Sequence, residues 1–413
     1  MKKGLVVGVC LIVSIIVSSD WSCGAGFAVL QQGSRPMGQG NAFVAQADDP
    51  SAVFFNPAGT AQLEGTQAYL GGTFILPRVK YDGYGTSIKT VSQLFFIPQA
   101  YITHEITPQI FFGFGANCPF GLSTDWGPVW EGRYLTTYNK LRTFNVNPNI
   151  TFKNGKLALS AGFDAMRGDI TLRKMIPLGA IGDGESEFTG DAWGYGYNLG
   201  LLYEFNENWK LGISYRSKIE LDFDNGKARF AVPLFLKPVF PDTRGSGELG
   251  LPPSFTGGIS FSPDPRWTLE FDVAWMGWST YDDIKIRFQY PVRGSYLVVQ
   301  PKRWEDVFAY RFGLNYRMSD RYIVRCGYIF DQTPVPDSTM DPMLPDADRH
   351  VFTAGIDWKF SKAFTMGMAY NYIHGVERAK HNLIGIGLPP VNMVNWDYSQ
   401  RIHSVGFNFN YAF

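Results

Sequence analysis

The sequence predicts an all-β fold, a fourteen-stranded antiparallel transmembrane β-barrel plugged by its own N-terminal segment. Three observations carry this: period-two alternation of apolar and polar residues, turns that are short at one end and long at the other, and an unusual composition. Aromatics make up 16% of the 413 residues and charged residues only 18%, below the roughly 25% of an ordinary soluble domain. The 45 Gly and 25 Pro argue against a mostly helical chain, because both disrupt helix interiors. The 37 basic residues balance 37 acidic ones, which leaves no basic footprint for nucleic acid. A mean hydropathy of -0.10 excludes a polytopic helical membrane protein, whose spans each need about 20 apolar residues.

In chain order, Lys2 and Lys3 precede an apolar run from Leu5 to Val17, and Ser22 and Gly24 follow at the spacing of a cleavage site. Residues 1–24 are therefore expected to be a secretory signal peptide. Cys10 and Cys23 leave with it, so only Cys118 and Cys326 remain in the exported chain. That excludes a disulfide-stapled scaffold, and two free, packed thiols are expected. Residues 25–65 are rich in Gly, Ala, Gln and Asp and show no long alternation. About forty residues tethered to one end of a barrel can fill its lumen, so this segment is expected to be a plug.

Residues 66–413 read as the barrel wall. Leu211, Ile213, Tyr215, Ile219, Leu221 and Phe223 share one parity, interrupted by Ser217. Phe308, Tyr310, Phe312, Leu314, Tyr316 and Met318 repeat the pattern, opposite Ala309, Arg311, Gly313, Asn315 and Arg317. Such strands present one side to an apolar medium and one to water. Short turn signals occur at 103–108, 154–155, 206–208, 263–265, 319–321 and 361–362. Six short turns joining hairpins give seven hairpins, hence fourteen strands. Longer connections are expected at 119–140, 173–190, 224–253, 332–348 and 377–399, the asymmetry of short periplasmic turns and long extracellular loops. Closure is required because an unpaired backbone group in hydrocarbon costs several kcal/mol. The last strand carries Val405, Phe407, Phe409, Tyr411 and Phe413 on one parity. Its aromatic terminus resembles the signal read by the barrel assembly machinery, which makes Phe413 the expected contact.

Several motifs then resemble one family. Ala25-Gly26-Phe27, Gly38-Gln39-Gly40, and residues 47–51 leading to Asn56-Pro57-Ala58-Gly59 match a plug with an Asn-Pro-Ala signature. Pro119-Phe120-Gly121-Leu122, residues 130–134, Asn145-Val146-Asn147-Pro148, residues 275–279, Pro334-Val335-Pro336-Asp337 and residues 345–349 extend the match along nearly the whole exported chain. In these the chain resembles the FadL/TodX-type outer-membrane transporters of long-chain fatty acids and aromatic hydrocarbons.

The resemblance implies a monomeric barrel in a Gram-negative outer membrane, with a ligand-gated hatch and a lateral exit. It places Phe27, Val29 and Leu30 in a mobile hatch N-terminus and Asn56, Pro57 and Ala58 in a rigid hatch turn. Two connections are oddly apolar: 224–253 holds Phe230, Leu234, Phe235 and Leu236, and 173–190 holds Met175, Ile176 and Leu178. Exposed apolar patches mark interaction surfaces, and these resemble the family's capture groove. Gly113 and Gly115 are the expected kink of the third strand, since Gly weakens strands. Arg167 and Arg173 are the candidate partners of a fatty-acid carboxylate; a hydrocarbon needs none, and the substrate stays open between the two. Expected partners are the hydrophobic substrate, outer-membrane lipid and lipopolysaccharide.

The five His residues are scattered and no nucleophile elbow or phosphate loop is present, so neither catalysis nor a cofactor is expected. Asp341, Asp346 and Asp348 lack the spacing of a calcium loop. Competing readings are a general porin, a structural or adhesion barrel, and a barrel lipase; a filled lumen argues against the porin.

Overall fold

A computed structural model describes residues 26–83, 85–382, 395 and 397–413. The expected signal peptide, with Cys10 and Cys23, and Ala25 of the plug lie outside the described residues, as does most of the 377–399 connection. Fourteen antiparallel strands form a closed wall. They are β1 (Thr66–Gly83), β2 (Thr86–Lys89 and Phe95–Thr107), β3 (Ile110–Asn117 and Gly121–Asp125), β4 (Tyr138–Asn154), β5 (Leu157–Pro177), β6 (Asp183–Glu204) and β7 (Trp209–Arg216 and Ile219–Ala231). There follow β8 (Thr243–Leu251 and Ser254–Asp264), β9 (Trp267–Met276 and Asp283–Val292), β10 (Ser295–Pro301 and Val307–Arg317), β11 (Tyr322–Asp331), β12 (Arg349–Lys359), β13 (Phe364–Gly375 and Arg378–Ala379) and β14 (Asp397–Ala412). Each pairs with its sequence neighbours, and β14 pairs with β1 from Ala412↔Gln67 to Asp397↔Asp82, which closes the sheet.

All six short turns join strands at one end. At the other end the expected loops are in part wall: β5 and β6 stay paired up to Pro177↔Asp183, and β7 and β8 up to Ala228↔Thr243. The connections shrink to 178–182 and 232–242, because backbone that leaves the bilayer still needs hydrogen-bond partners and finds them in a longer hairpin.

Parity holds along β10, where Phe308, Phe312 and Tyr310 are exposed to the outside and Arg311 and Asn315 face the lumen. Along β7 it does not hold. Ile219, Leu221 and Phe223 are buried in the lumen, whereas Leu211, Ile213 and Tyr215 alternate with lumen-facing Gly212, Ser214 and Arg216. The ladder breaks at Ser217-Lys218 opposite Pro252-Pro253, and the two-residue interruption turns the apolar face from lipid to interior. Cys118 is buried and free, while Cys326 is free but exposed on the outer wall, so only one of the two thiols is packed.

Residues 26–65 lie inside the barrel and are almost entirely buried. They contain two short helices, α1 (Ser34–Gly38) and α2 (Ala52–Phe55), and a 3₁₀ turn, Pro57–Gln62. Lumen-facing glycines let the plug meet the wall: a Cβ on Gly313 would stand 2.7 Å from Gln39 O, and one on Gly355 2.9 Å from Gly38 Cα.

Candidate functional site

The lumen divides by chemistry. Toward the turn end, carboxylates and arginines of the wall hold the plug. Asp272 Oδ2 accepts hydrogen bonds from the amides of Phe43 (2.9 Å) and Val44 (3.1 Å), and Glu270 accepts from Ala45 (2.7 Å) and Gln46 (2.9 Å). Arg35 of α1 pairs with Asp48 (2.6 Å) and Asp357 (3.1 Å), and Arg325 completes the pairing of Asp357 at 2.7 Å. Asn56 donates to Val44 O (2.7 Å) and to Leu201 O of β6 (2.9 Å), while its own carbonyl accepts from Ala58 N (3.2 Å). Pro57 opens the 3₁₀ turn, and Ala58 packs against Phe111, Ala158 and Leu202 of the wall.

Toward the loop end the interior is apolar, and the first residues of the plug sit in it. Phe27 packs edge-on against Trp278 (4.6 Å between centroids) and Tyr281 (5.3 Å) and is tilted against Trp304 (5.6 Å). Val29 is fully buried against an arc of aliphatic side chains. Four of these, Ile329, Val351, Ile373 and Ile402, are direct cross-strand neighbours on β11 to β14.

Three cavities lie toward the loop end, two of them joined through shared lining residues. The outermost, of about 260 Å³, lies among the raised hairpins and is lined by Arg173, Lys174, Met175, Ile176, Phe230 and Arg293, among others. A second, of about 50 Å³, shares Leu172, Phe188, Ile286 and Met343 with it and reaches Phe27. A third, of about 60 Å³, is lined by Ala28, Leu30, Phe120, Asp164 and Arg216. Residues 27–30 therefore stand between the outer cavities and the innermost one.

The wall beside them is interrupted. β3 pairs with β2 only from Ala116↔Ala100 down to Ile110↔Thr107. Above that, the backbone of residues 118–121 turns to the plug instead: Val29 N donates to Pro119 O (2.7 Å), Gly121 N to Phe27 O (2.8 Å) and Gln32 Nε2 to Cys118 O (2.6 Å). Ala28 and Phe120 form an isolated antiparallel bridge. The kink expected at Gly113 and Gly115 is thus at Cys118–Phe120. Both glycines are paired on each side, to Thr103 and Tyr101 of β2 and to Asn149 and Asn147 of β4. They serve close approach, since a Cβ on either would stand within 3.0 Å of Val53 in α2.

Of the other expected site residues, Met175, Ile176, Phe230 and Arg173 share the outer cavity. Leu178 and Leu236 pack on its apolar support. Leu234 and Phe235 line none of these three cavities; they project from the tip of the β7–β8 connection, 86% and 67% exposed. Arg173 is held by Glu187 at 2.6 Å. Arg167 does not face the lumen: it lies on the parity opposite buried Met166 and pairs outside with Asp191 at 3.3 Å. The arginine that borders the innermost cavity is Arg216, paired with Asp164 at 2.9 Å and donating to Phe54 O at 2.7 Å. Its parity placed it with the polar face of β7, but only the fold shows it beneath an apolar cavity.

The sequence model described as outer membrane protein transport protein (OMPP1/FadL/TodX) matches residues 15–413. The chain is similar to the long-chain fatty acid transport protein of Salmonella typhi, 25% identical over 434 residues with 97% of each chain covered. It is 24% identical to the protein of that name from Escherichia coli K12, again with 97% of each covered. Among solved structures, a Pseudomonas aeruginosa FadL homologue aligns with a TM-score of 0.82 at 20% identity, covering 94% of this chain and all of that one. The Pseudomonas putida toluene transporter TodX aligns with a TM-score of 0.74 at 18% identity, with 94% of this chain covered.

Proposed function

The chain belongs to the OMPP1/FadL/TodX family of outer membrane transport proteins, and from that premise we propose that it admits hydrophobic molecules, long-chain fatty acids foremost, through a hatch formed by residues 27–32. One observation carries the reading: the same short segment lines both the second cavity, at Phe27, and the third, at Ala28 and Leu30, and forms hydrogen bonds with the broken part of β3. Moving it joins the cavities and unpairs the wall in one step. A greasy solute then passes from the apolar interior sideways toward lipid without crossing water.

Capture begins at the raised hairpins. Leu234 and Phe235 offer exposed apolar surface, and the cavity beneath combines apolar walls with Lys174, Arg293 and the Arg173–Glu187 pair. That combination suits an aliphatic chain with an anionic head, for which charge-assisted hydrogen bonds are the strong ones; this favours fatty acid over a neutral hydrocarbon. The buried Asn56-Pro57-Ala58 turn and the bonds to Asp272 and Glu270 anchor the rest of the plug, so the movement is confined to its start.

Ala28 and Phe120 give the test. The bonds that flank their bridge make them a non-hydrogen-bonded antiparallel pair, about 4.5 Å between Cα atoms, within disulfide reach. An A28C/F120C protein in a C118A/C326S background is expected to take up labelled oleate into proteoliposomes when reduced and to stop when oxidised. Equal uptake in the two states would sink the hatch reading. Excess toluene failing to slow the reduced protein supports the fatty acid; strong competition argues for a shared hydrocarbon route.

A further inference from the structure

On the outer wall, where β12, β13, β14 and β1 meet, the cross-strand register sets two arginines opposite each other and continues them into a pair of histidines. Arg78 of β1 stands opposite Arg401 of β14, Arg401 opposite His374 of β13, and His374 opposite His350 of β12. Two residues further along β1, Lys80 stands opposite Lys89 of β2. Like charges directly opposite destabilise a sheet, and the side chains of Arg78 and Arg401 have no hydrogen bond or ion pair among the described residues. Lys80 is paired with Asp82 at 2.7 Å, and Glu377 stands at the rim. Around these groups the surface forms a hollow of about 640 Å³.

The height of the row identifies its surroundings. The next outward row toward the periplasm is Leu76, His403, Tyr372 and Phe352, and exposed Tyr411 marks the lower aromatic belt on β14. From Tyr411 to Arg401 is ten residues, about 34 Å along the strand and roughly 26 Å along the membrane normal at a tilt near 40°. That matches the apolar band of such barrels, about 25 Å, so the cationic row sits at the outer edge of the hydrocarbon, directly above the aromatics.

We propose that this row is a binding site for the phosphate groups of lipopolysaccharide, with Arg78 and Arg401 sharing phosphate oxygens of the lipid A disaccharide. An anion between the two guanidinium groups removes the repulsion that the register imposes, and guanidinium forks bind phosphate bidentately. The acyl chains of the same lipid then lie along Leu76, Tyr372 and Phe352.

Native mass spectrometry of the detergent-purified protein, titrated with bisphosphorylated lipid A, tests this. Wild type is expected to retain the lipid. R78S/R401S should bind at least roughly tenfold more weakly, and R78K/R401K should keep part of the affinity because charge remains but the fork is lost. Without lipid, R78S/R401S should unfold no earlier than wild type, which separates binding from a structural role. Equal retention of lipid A stripped of its phosphates, or unchanged binding by R78S/R401S, would overturn the proposal. Displacement of the lipid by millimolar inorganic phosphate would do so too, by showing a free-anion site.

Discussion

Replacing Phe27 with Ala is the sharpest probe of the hatch. The side chain is 2% exposed and lies against Trp278, Tyr281 and Trp304. Truncating such a core Phe costs about 3–5 kcal/mol. The truncation leaves the strand-to-strand ladder of the wall intact, so the loss falls on the local equilibrium in which residues 26–32 leave their seat. At 1.4 kcal/mol per tenfold, the lower figure already raises the open fraction by about a hundredfold. Hydrogen exchange in detergent reads this directly, because the amides of Gly26 and Val29 are bonded to Asp346 (3.0 Å) and Pro119 O (2.7 Å) in the closed form. Their exchange should accelerate by about two orders of magnitude, while residues 43–46 stay protected. An acceleration below roughly threefold, the size of an ordinary surface substitution, would refute the idea that Phe27 latches the segment.

Two other perturbations separate anchoring and capture from latching. Asp272→Ala removes the acceptor of two buried plug amides, at about 1–3 kcal/mol each, so exchange at Phe43 and Val44 should rise while that at Val29 does not; the reverse pattern would contradict the anchor. L234S/F235S should leave thermal stability unchanged, since both side chains are exposed. If each buries enough on substrate to contribute about 1 kcal/mol, oleate uptake at limiting concentration falls by at least roughly fivefold, and undiminished uptake would remove the tip from the capture surface.

The strand count was legible because short turns and period-two alternation are local signals, and the plug because residues 26–65 lack alternation. What stayed hidden depends on partners distant in sequence. Gly113 and Gly115 suggest a weak strand locally, yet their reason is Val53 of α2, some sixty residues away. Arg167 and Arg216 both read as polar residues on alternating strands; which one meets the interior depends on which parity faces in. On β7 that parity reverses at Ser217-Lys218, where the apolar pattern itself continues almost unbroken. In sequence the raised hairpins read as loops, because their Gly and Pro content masks pairing that only the neighbouring strands reveal.

The aliphatic arc around Val29 bears on the cell as much as on the substrate. It is one residue row thick, between Thr353, Asn371 and Ser404 on one side and Asp331, Arg349 and Gln400 on the other. That row itself offers a hydrated ion no partner for the water it would shed, whereas a hydrocarbon chain loses nothing against it. If residues 27–32 open as proposed, the arc would sort solutes by polarity, and the barrel would admit greasy molecules without becoming a path for hydrophilic ones.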